Sequence, residues 1–504
     1  MRTMDDGGEG MNLLRWAVLP VLLGLAMPAL ADAPAPTAPT SALQIQVDAA
    51  LAAAPAGTRF GLLVVDEAGQ VLVSVNPDGR FIPASNTKLF TTAAAYALLL
   101  GMDQPDVAGG TQVALLGDKR KRAPDVVLIG RGDARMSSAS DCKVDCLATL
   151  ADAVAARTKI VGDVVGDDSI FPDERWSPGM SWNNIQTEDG TAAGALNLDD
   201  NQLKISVFPG QLGKPPTVAM STYYVLTNEA VTVAAGGTTT LAFERVVGSN
   251  RLRLYGEIPA DAKDWHQWIG IDDPAHYSAW TFKALLEARG VRVTGRPRSM
   301  HRASIVIDRA CNACMMGIAK IGAPVPFAAL DPAPLSDDVV TINKVSQNLH
   351  AQVLFRRVGY VLGTGSSEWA VRAEQILFDQ AGIPRKGYDF FDGSGMSTYN
   401  RVSPRAAVSL LRWAAIQPWG QAWYASFPVA GVDGTLQRRF IGTPLAGNLA
   451  AKTGSLNATN ALSGTFRGAS GRRLTFAFFA NDVPDGESAL PVMEAVLLLV
   501  AAQN

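Results

Sequence analysis

The chain predicts an α+β fold: an antiparallel sheet flanked by helices, interrupted by a large, mainly β insertion of two subdomains. Three observations predict it. A helical stretch rich in small residues stands early, around residues 87–100. A β-rich run broken by turn residues fills the middle of the chain. Three strand-like segments and a last helical one close it. The 504 residues are 48% hydrophobic and 18% charged, a globular composition with length for more than one domain. The net charge is −3, and no strongly basic domain points to nucleic acid. The run Lys119-Arg120-Lys121-Arg122 reads as a solvated loop.

Residues 1–31 read as a secretory signal. Arg15 is positive, Trp16 to Leu25 is mainly apolar, and Ala29-Leu30-Ala31 offers small residues before Asp32. The acidic leader fits this less well, and Met11 is an alternative start. The apolar segment is short for a membrane span, so no stable span is expected after cleavage. Residues 32–42 read as a Pro- and Ala-rich linker.

The linker leads into the first part of the sheet-and-helix domain, 43–104. Ser41 to Ala54 has helical spacing. Phe60 to Val65 and Val71 to Val75 form a hairpin around Asp66-Glu67-Ala68-Gly69. Residues 105–304 are the inserted unit. Val113 to Leu116, Val126 to Ile129, Lys159 to Val165, Leu203 to Phe208 and four segments between 223 and 258 read as strands. Leu147 to Ala156 and Trp280 to Ala288 read as helices, the second closed by Gly290. Residues 305–504 complete the sheet-and-helix domain. A helical pattern from Asp337 to Leu362 breaks near 345–348, and two more run from Ala370 to Gln380 and Arg405 to Ala415. Strands follow around Leu449 to Thr453, Ala461 to Arg467 and Leu474 to Ala480, then a helix from Leu490.

Four cysteines stand as Cys142-x-x-x-Cys146 and Cys311-x-x-Cys314. In an exported chain disulfides are the default. Three pairings exist; local pairs are the expectation, and a four-cysteine zinc site is the rival.

The chemistry starts at Ser85-Asn86-Thr87-Lys88, where a loop runs into a helix. Residues three apart share a helix face, so the Lys88 amine can reach the Ser85 hydroxyl. A serine needs such a base to become a nucleophile. The pattern alone is weak, and Ser140 and Lys143 repeat it by chance. Two further motifs add weight: Ser346-Gln347-Asn348 at the helix break, and Lys452-Thr453-Gly454 on a strand. Ser-x-Asn recurs at Ser181 and Ser455, whereas Lys-Thr-Gly occurs once.

In this order and these contexts the three motifs resemble the penicillin-recognising serine enzymes, which comprise DD-peptidases and serine β-lactamases. Phe391-Asp392-Gly393-Ser394-Gly395-Met396-Ser397, Ala430 to Leu436, Asp168-Ser169-Ile170-Phe171 and Gly130-Arg131-Gly132-Asp133 narrow the likeness. Together they resemble the low-molecular-mass class C penicillin-binding proteins, the D-alanyl-D-alanine carboxypeptidase/endopeptidase family. The resemblance implies a transpeptidase/β-lactamase-like catalytic domain in the periplasm, working on peptidoglycan stem peptides, with β-lactams as covalent inhibitors. It implies neither a metal nor a cofactor, and leaves a homo-oligomer open. Ser85 would form an acyl-enzyme with Lys88 as its base. Ser346 would relay a proton, and Asn348 would hold the substrate amide or Lys88. Lys452 and Thr453 would bind the terminal carboxylate. The backbone N–H groups of Ser85 and Ser455 would form an oxyanion hole, and Gly454 would keep the groove clear of a side chain. Asp199 is a candidate for an amine contact. The family usually has Asn or an acidic residue where Gln347 stands.

Two rivals differ in kind. A compact class A β-lactamase would need a glutamate with Asn four residues on, and none is present. A non-enzymatic peptidoglycan-binding protein would not need all of Ser85, Lys88, Ser346, Asn348, Lys452 and Thr453.

Overall fold

The structure is a computed structural model that describes residues 41–117, 123–309 and 324–504. The expected signal, most of the linker, the basic run at 119–122 and the pair Cys311 and Cys314 lie outside the described residues. Among these residues, no helix is long and apolar enough to cross a membrane.

The expected α+β architecture is present. Its central sheet joins the two ends of the chain. Five antiparallel strands run in the order Val71–Val75, Arg59–Val65, Arg473–Asn481, Thr459–Arg467, Ala450–Leu456. Side chains alternate between the faces of a strand, and here both faces are covered. Leu63, Val65, Ala477 and Phe479 pack against the helices Thr87–Leu98 and Pro404–Ala415. Leu62, Val64, Phe476 and Phe478 pack against the first helix, Ala42–Leu51, and the last, Leu490–Ala502. This is why these strands read as nearly unbroken apolar runs. Ser41 caps the first helix, its Oγ accepting from Gln44 N at 3.1 Å.

Ala450–Leu456 is the edge strand. The helical pattern at 337–362 resolves into Leu335–Lys344 and Asn348–Leu362, with Ser346 between them.

The middle of the chain forms a second five-stranded sheet, ordered Pro297–Arg302, Val164–Pro172, Asp125–Ile129, Gln112–Leu116, Pro326–Ala329. Its last strand comes from beyond residue 304 and pairs antiparallel with Gln112–Leu116. A three-stranded antiparallel sheet (Gln202–Phe208, Thr217–Met220, Trp265–Gly270) and smaller strands between 225 and 259 lie alongside. Val126, Leu128, Ile205, Leu254 and Phe282 belong to one hydrophobic cluster, so these sheets share a core. The helix expected from Trp280 starts earlier, at Pro274. Asp273 caps it by accepting from His276 N at 2.9 Å, and Pro274 needs no N–H partner in the first turn. Cys142 and Cys146 form a disulfide, the local pair expected, which leaves those two thiols unavailable to a four-cysteine zinc site.

Candidate active site

The Ser85 hydroxyl stands on a 3₁₀ turn, Ala84–Asn86, that leads directly into the helix Thr87–Leu98. Lys88 lies one turn on and is fully buried. Its Nζ lies 2.9 Å from Ser85 Oγ and donates to Asn348 Oδ1 at 2.7 Å and to the Ser394 carbonyl at 2.5 Å. An ammonium has three protons for three acceptors. A neutral amine would spend two N–H groups on the two carbonyls and leave its lone pair for the serine hydroxyl. Burial pulls the lysine down to about 7, against the opposing influence of the Asp392 and Asp189 carboxylates. A neutral base is therefore present near neutrality.

Asn348 opens the helix Asn348–Leu362 and is fixed from both sides. Its Oδ1 faces Lys88, while its Nδ2 donates to Asp189 O at 3.1 Å and Asp189 Oδ1 at 3.3 Å. Gln347 caps that helix, its Oε1 accepting from Leu349 N at 2.9 Å. The side chain that departs from the usual family residue thus does a capping job that Asn or Asp would also do.

Ser346 has φ +67°, left-handed backbone that costs a non-glycine residue roughly 1–2 kcal/mol. In that conformation its Oγ receives a hydrogen bond from Lys452 Nζ at 2.9 Å. Lys452 is fully buried on the edge strand and also donates to Thr453 O at 3.0 Å. Burial first, and the neighbouring Lys88 second, hold its amine well below its ordinary value. Thr453 Oγ1 lies 2.7 Å from Thr435 Oγ1. Ser455 is exposed on the same strand, its Oγ accepting from Asn460 Nδ2 at 3.3 Å.

Gly454 has a different steric reason from the one expected. A Cβ there would come 2.7 Å from Pro83 O and 3.1 Å from Asn86 Nδ2. The glycine lets the edge strand lie flat against the turn that carries Ser85, rather than keeping the groove open. Asn86 Nδ2 completes that contact by donating to Lys452 O at 3.1 Å.

Asp392, fully buried, shapes the loop behind Lys88. It accepts from Ser394 Oγ at 2.8 Å, Gly395 N at 3.0 Å, Ser397 N at 3.0 Å and Asn400 Nδ2 at 2.6 Å. Gly395, at φ +90°, passes so close that a Cβ would meet the Ala84 carbonyl at 2.0 Å. This loop aims the Ser394 carbonyl at Lys88. The motif around it was legible, but nothing in it pointed to a main-chain oxygen as a lysine partner.

All eight residues expected from the three motifs come from segments that meet here. Asp199 is engaged elsewhere: its carboxylate accepts from Ser138 N at 2.8 Å and Ser138 Oγ at 2.5 Å. Asp189, which no motif marked, is the acidic residue beside Asn348. With Arg175, Thr191, Gln352 and Ser394 it lines a crevice between the 175–193 segment and the helix Asn348–Leu362. Ser140 and Lys143, the second Ser-x-x-Lys, are exposed, Lys143 inside the loop closed by Cys142 and Cys146 and Ser140 just before it. No group of three or more His, Cys, Asp or Glu side chains able to hold a metal occurs among the described residues.

The chain is 33% identical to a D-alanyl-D-alanine carboxypeptidase of Actinomadura sp. (strain R39), over 99% of this chain and 93% of that one. It is 25% identical to the D-alanyl-D-alanine carboxypeptidase DacB of Haemophilus influenzae, covering 86% of this chain and 87% of the relative. The crystal structure of penicillin binding protein 4 (dacB) from Haemophilus influenzae shares the fold, with a TM-score of 0.74 over 90% of this chain and 97% of that one at 23% identity. Residues 43–503 match the profile of the D-Ala-D-Ala carboxypeptidase 3 (S13) family, and the chain is a member of that family.

Proposed function

We propose that this chain is a serine-type D-Ala-D-Ala carboxypeptidase that also cleaves peptidoglycan cross-links as a DD-endopeptidase, and that β-lactams acylate it. The observation that carries the reading is the placement of Lys88 Nζ, 2.9 Å from Ser85 Oγ and 2.7 Å from Asn348 Oδ1. In the proposed reaction, neutral Lys88 takes the Ser85 proton as Oγ attacks the carbonyl between the two D-alanines. The oxyanion is held by the N–H groups of Ser85 and Ser455, a contribution of about 3–4 kcal/mol per donor in comparable sites. Ser346, bonded to Lys452, passes a proton to the departing D-alanine amine. Lys452 and Thr453 hold the terminal carboxylate, whose charge favours the protonated form of Lys452. Water then hydrolyses the acyl-enzyme, with the proton steps run in reverse.

The same reading takes 43–104 with 305–504 as the catalytic part, which lends the strand Pro326–Ala329 to the insertion at 105–304. It takes residues 1–31 as the signal that sends the chain to the periplasm. Labelling purified protein with fluorescent penicillin, mapping the adduct, and digesting isolated muropeptides test it together. The expected results are a single adduct on Ser85, released D-alanine and uncross-linked peptides. Protein that takes up no label and releases no D-alanine would leave a non-enzymatic peptidoglycan-binding role.

A further inference from the structure

His350 is buried two residues beyond Asn348 and faces a carboxylate at each ring nitrogen. Its Nδ1 lies 2.6 Å from Asp338 Oδ1 and its Nε2 lies 2.9 Å from Asp200 Oδ1. Only an imidazolium can donate from both nitrogens. Burial works against that charge, but Asp338 and Asp200 outweigh it and raise the ring to about 10. Arg135 and Arg357 also act on Asp338.

The three partners come from three segments. Asp338 is on the helix that precedes Ser346, and His350 is on the helix that follows it. Asp200 belongs to the inserted unit, in a turn where Asp199, Asp200 and Asn201 all have positive φ (51°, 54° and 52°). Three consecutive non-glycine residues in that region persist only when their surroundings over-determine them. Asn201 supplies part of the restraint, donating to Ala192 O at 2.9 Å and Asn197 Oδ1 at 2.8 Å. Through Ala192 this restraint reaches Thr191 and Ala193, which line one wall of the crevice. Asn348 and Gln352 are on the opposite wall.

We propose that His350 is a positioning residue: its ring ties the inserted unit's turn to the two helices that bracket Ser346, and so sets the crevice for the part of a peptide substrate beyond the scissile bond. This rests on the peptidase reading above. A small β-lactam occupies only the groove of Ser85, Ser346 and Lys452, whereas a stem peptide extends into the crevice.

The test uses the full chain and three variants, Asp200→Asn, Asp200→Glu and His350→Gln. Two rates are measured: acylation by fluorescent penicillin, and D-alanine release from a pentapeptide ending in D-Ala-D-Ala. Asp200→Asn leaves the Asp338–His350 contact in place. It is expected to lower kcat/KM for the peptide about tenfold, mainly through KM, while penicillin acylation changes less than threefold. Asp200→Glu restores the peptide rate. His350→Gln, which strips the charge from both contacts, impairs both reactions, and its folding is checked by circular dichroism. Proportional loss of both rates in Asp200→Asn, or no loss in either, overturns the positioning role. Wild-type protein that penicillin does not label overturns the peptidase reading itself, and this inference with it.

Discussion

Lys452 Nζ stands 2.9 Å from Ser346 Oγ, although the two residues are 106 positions apart in the chain. The contact joins a left-handed residue between two helices to a fully buried lysine amine on a sheet edge. It leaves the serine oxygen with one neighbour that can supply a proton and one face open to the groove. Replacing Ser346 by Ala is expected to slow penicillin acylation about 100-fold or more, the usual weight of a lost general acid–base step. Stopped-flow labelling measures it. An unchanged rate would remove Ser346 from the proton path.

Ser85→Ala should abolish labelling and D-alanine release while leaving the melting temperature close to wild type. Its hydroxyl is bonded only within the site, so little packing is lost. Intact-mass spectrometry after incubation with penicillin reads the outcome directly. Turnover at the wild-type rate would refute Ser85 as the nucleophile.

Lys88 should give the reaction a pH profile that rises through about 7, because only the neutral amine accepts the serine proton. The same shift acts on stability. In the unfolded chain the lysine keeps its proton to about 10.4, while the folded one releases it above about 7. Between those values the unfolded state binds more protons, so this group's contribution to stability improves as pH rises. Lys88→Met is therefore expected to be more stable than wild type near pH 7, by a margin that shrinks toward pH 10. Urea titrations across that range check the sign. A margin that grows with pH would contradict a depressed Lys88.

Gly395→Ala places a Cβ against the Ala84 carbonyl and demands positive φ of a residue with a side chain. Overpacking of this kind costs about 1–3 kcal/mol, with roughly 1 kcal/mol more for the backbone. The displaced carbonyl adjoins Ser85, so acylation should fall more than stability alone explains. Thermal melts and labelling rates on the same preparation separate the two.

The Cys142–Cys146 disulfide closes a very short loop, and removing it through Cys142→Ser with Cys146→Ser is expected to cost ~2 kcal/mol. Neither cysteine belongs to the three motifs, so penicillin labelling should be retained. Non-reducing peptide mapping would show the cross-linked pair in wild type.

Much of this protein was legible in its residues because the relevant signals are local. Ser85 and Lys88 share one helical turn, and that spacing alone puts amine beside hydroxyl. The break at 345–348 and the strand at 450–456 also follow from nearby patterning. Other features arise only between segments distant in the chain. Asp189 had no motif, since its closeness to Asn348 is produced by folding the inserted unit over the groove. The Ser394 carbonyl is a main-chain atom, and any residue could supply one. No motif marked His350, and its contacts to Asp200 and Asp338 arise only in the folded chain.

By itself, then, the order of residues determined the architecture, the family and which side chains could do acyl transfer, because helix periodicity, strand alternation and short motifs are short-range properties. Tertiary structure alone decided the protonation state of Lys88, the strained backbone at Ser346, the reason for Gly454 and the second acidic residue of the site. Each of those depends on burial or on a close approach between segments distant in the chain, and neither burial nor approach is written in any one stretch of it.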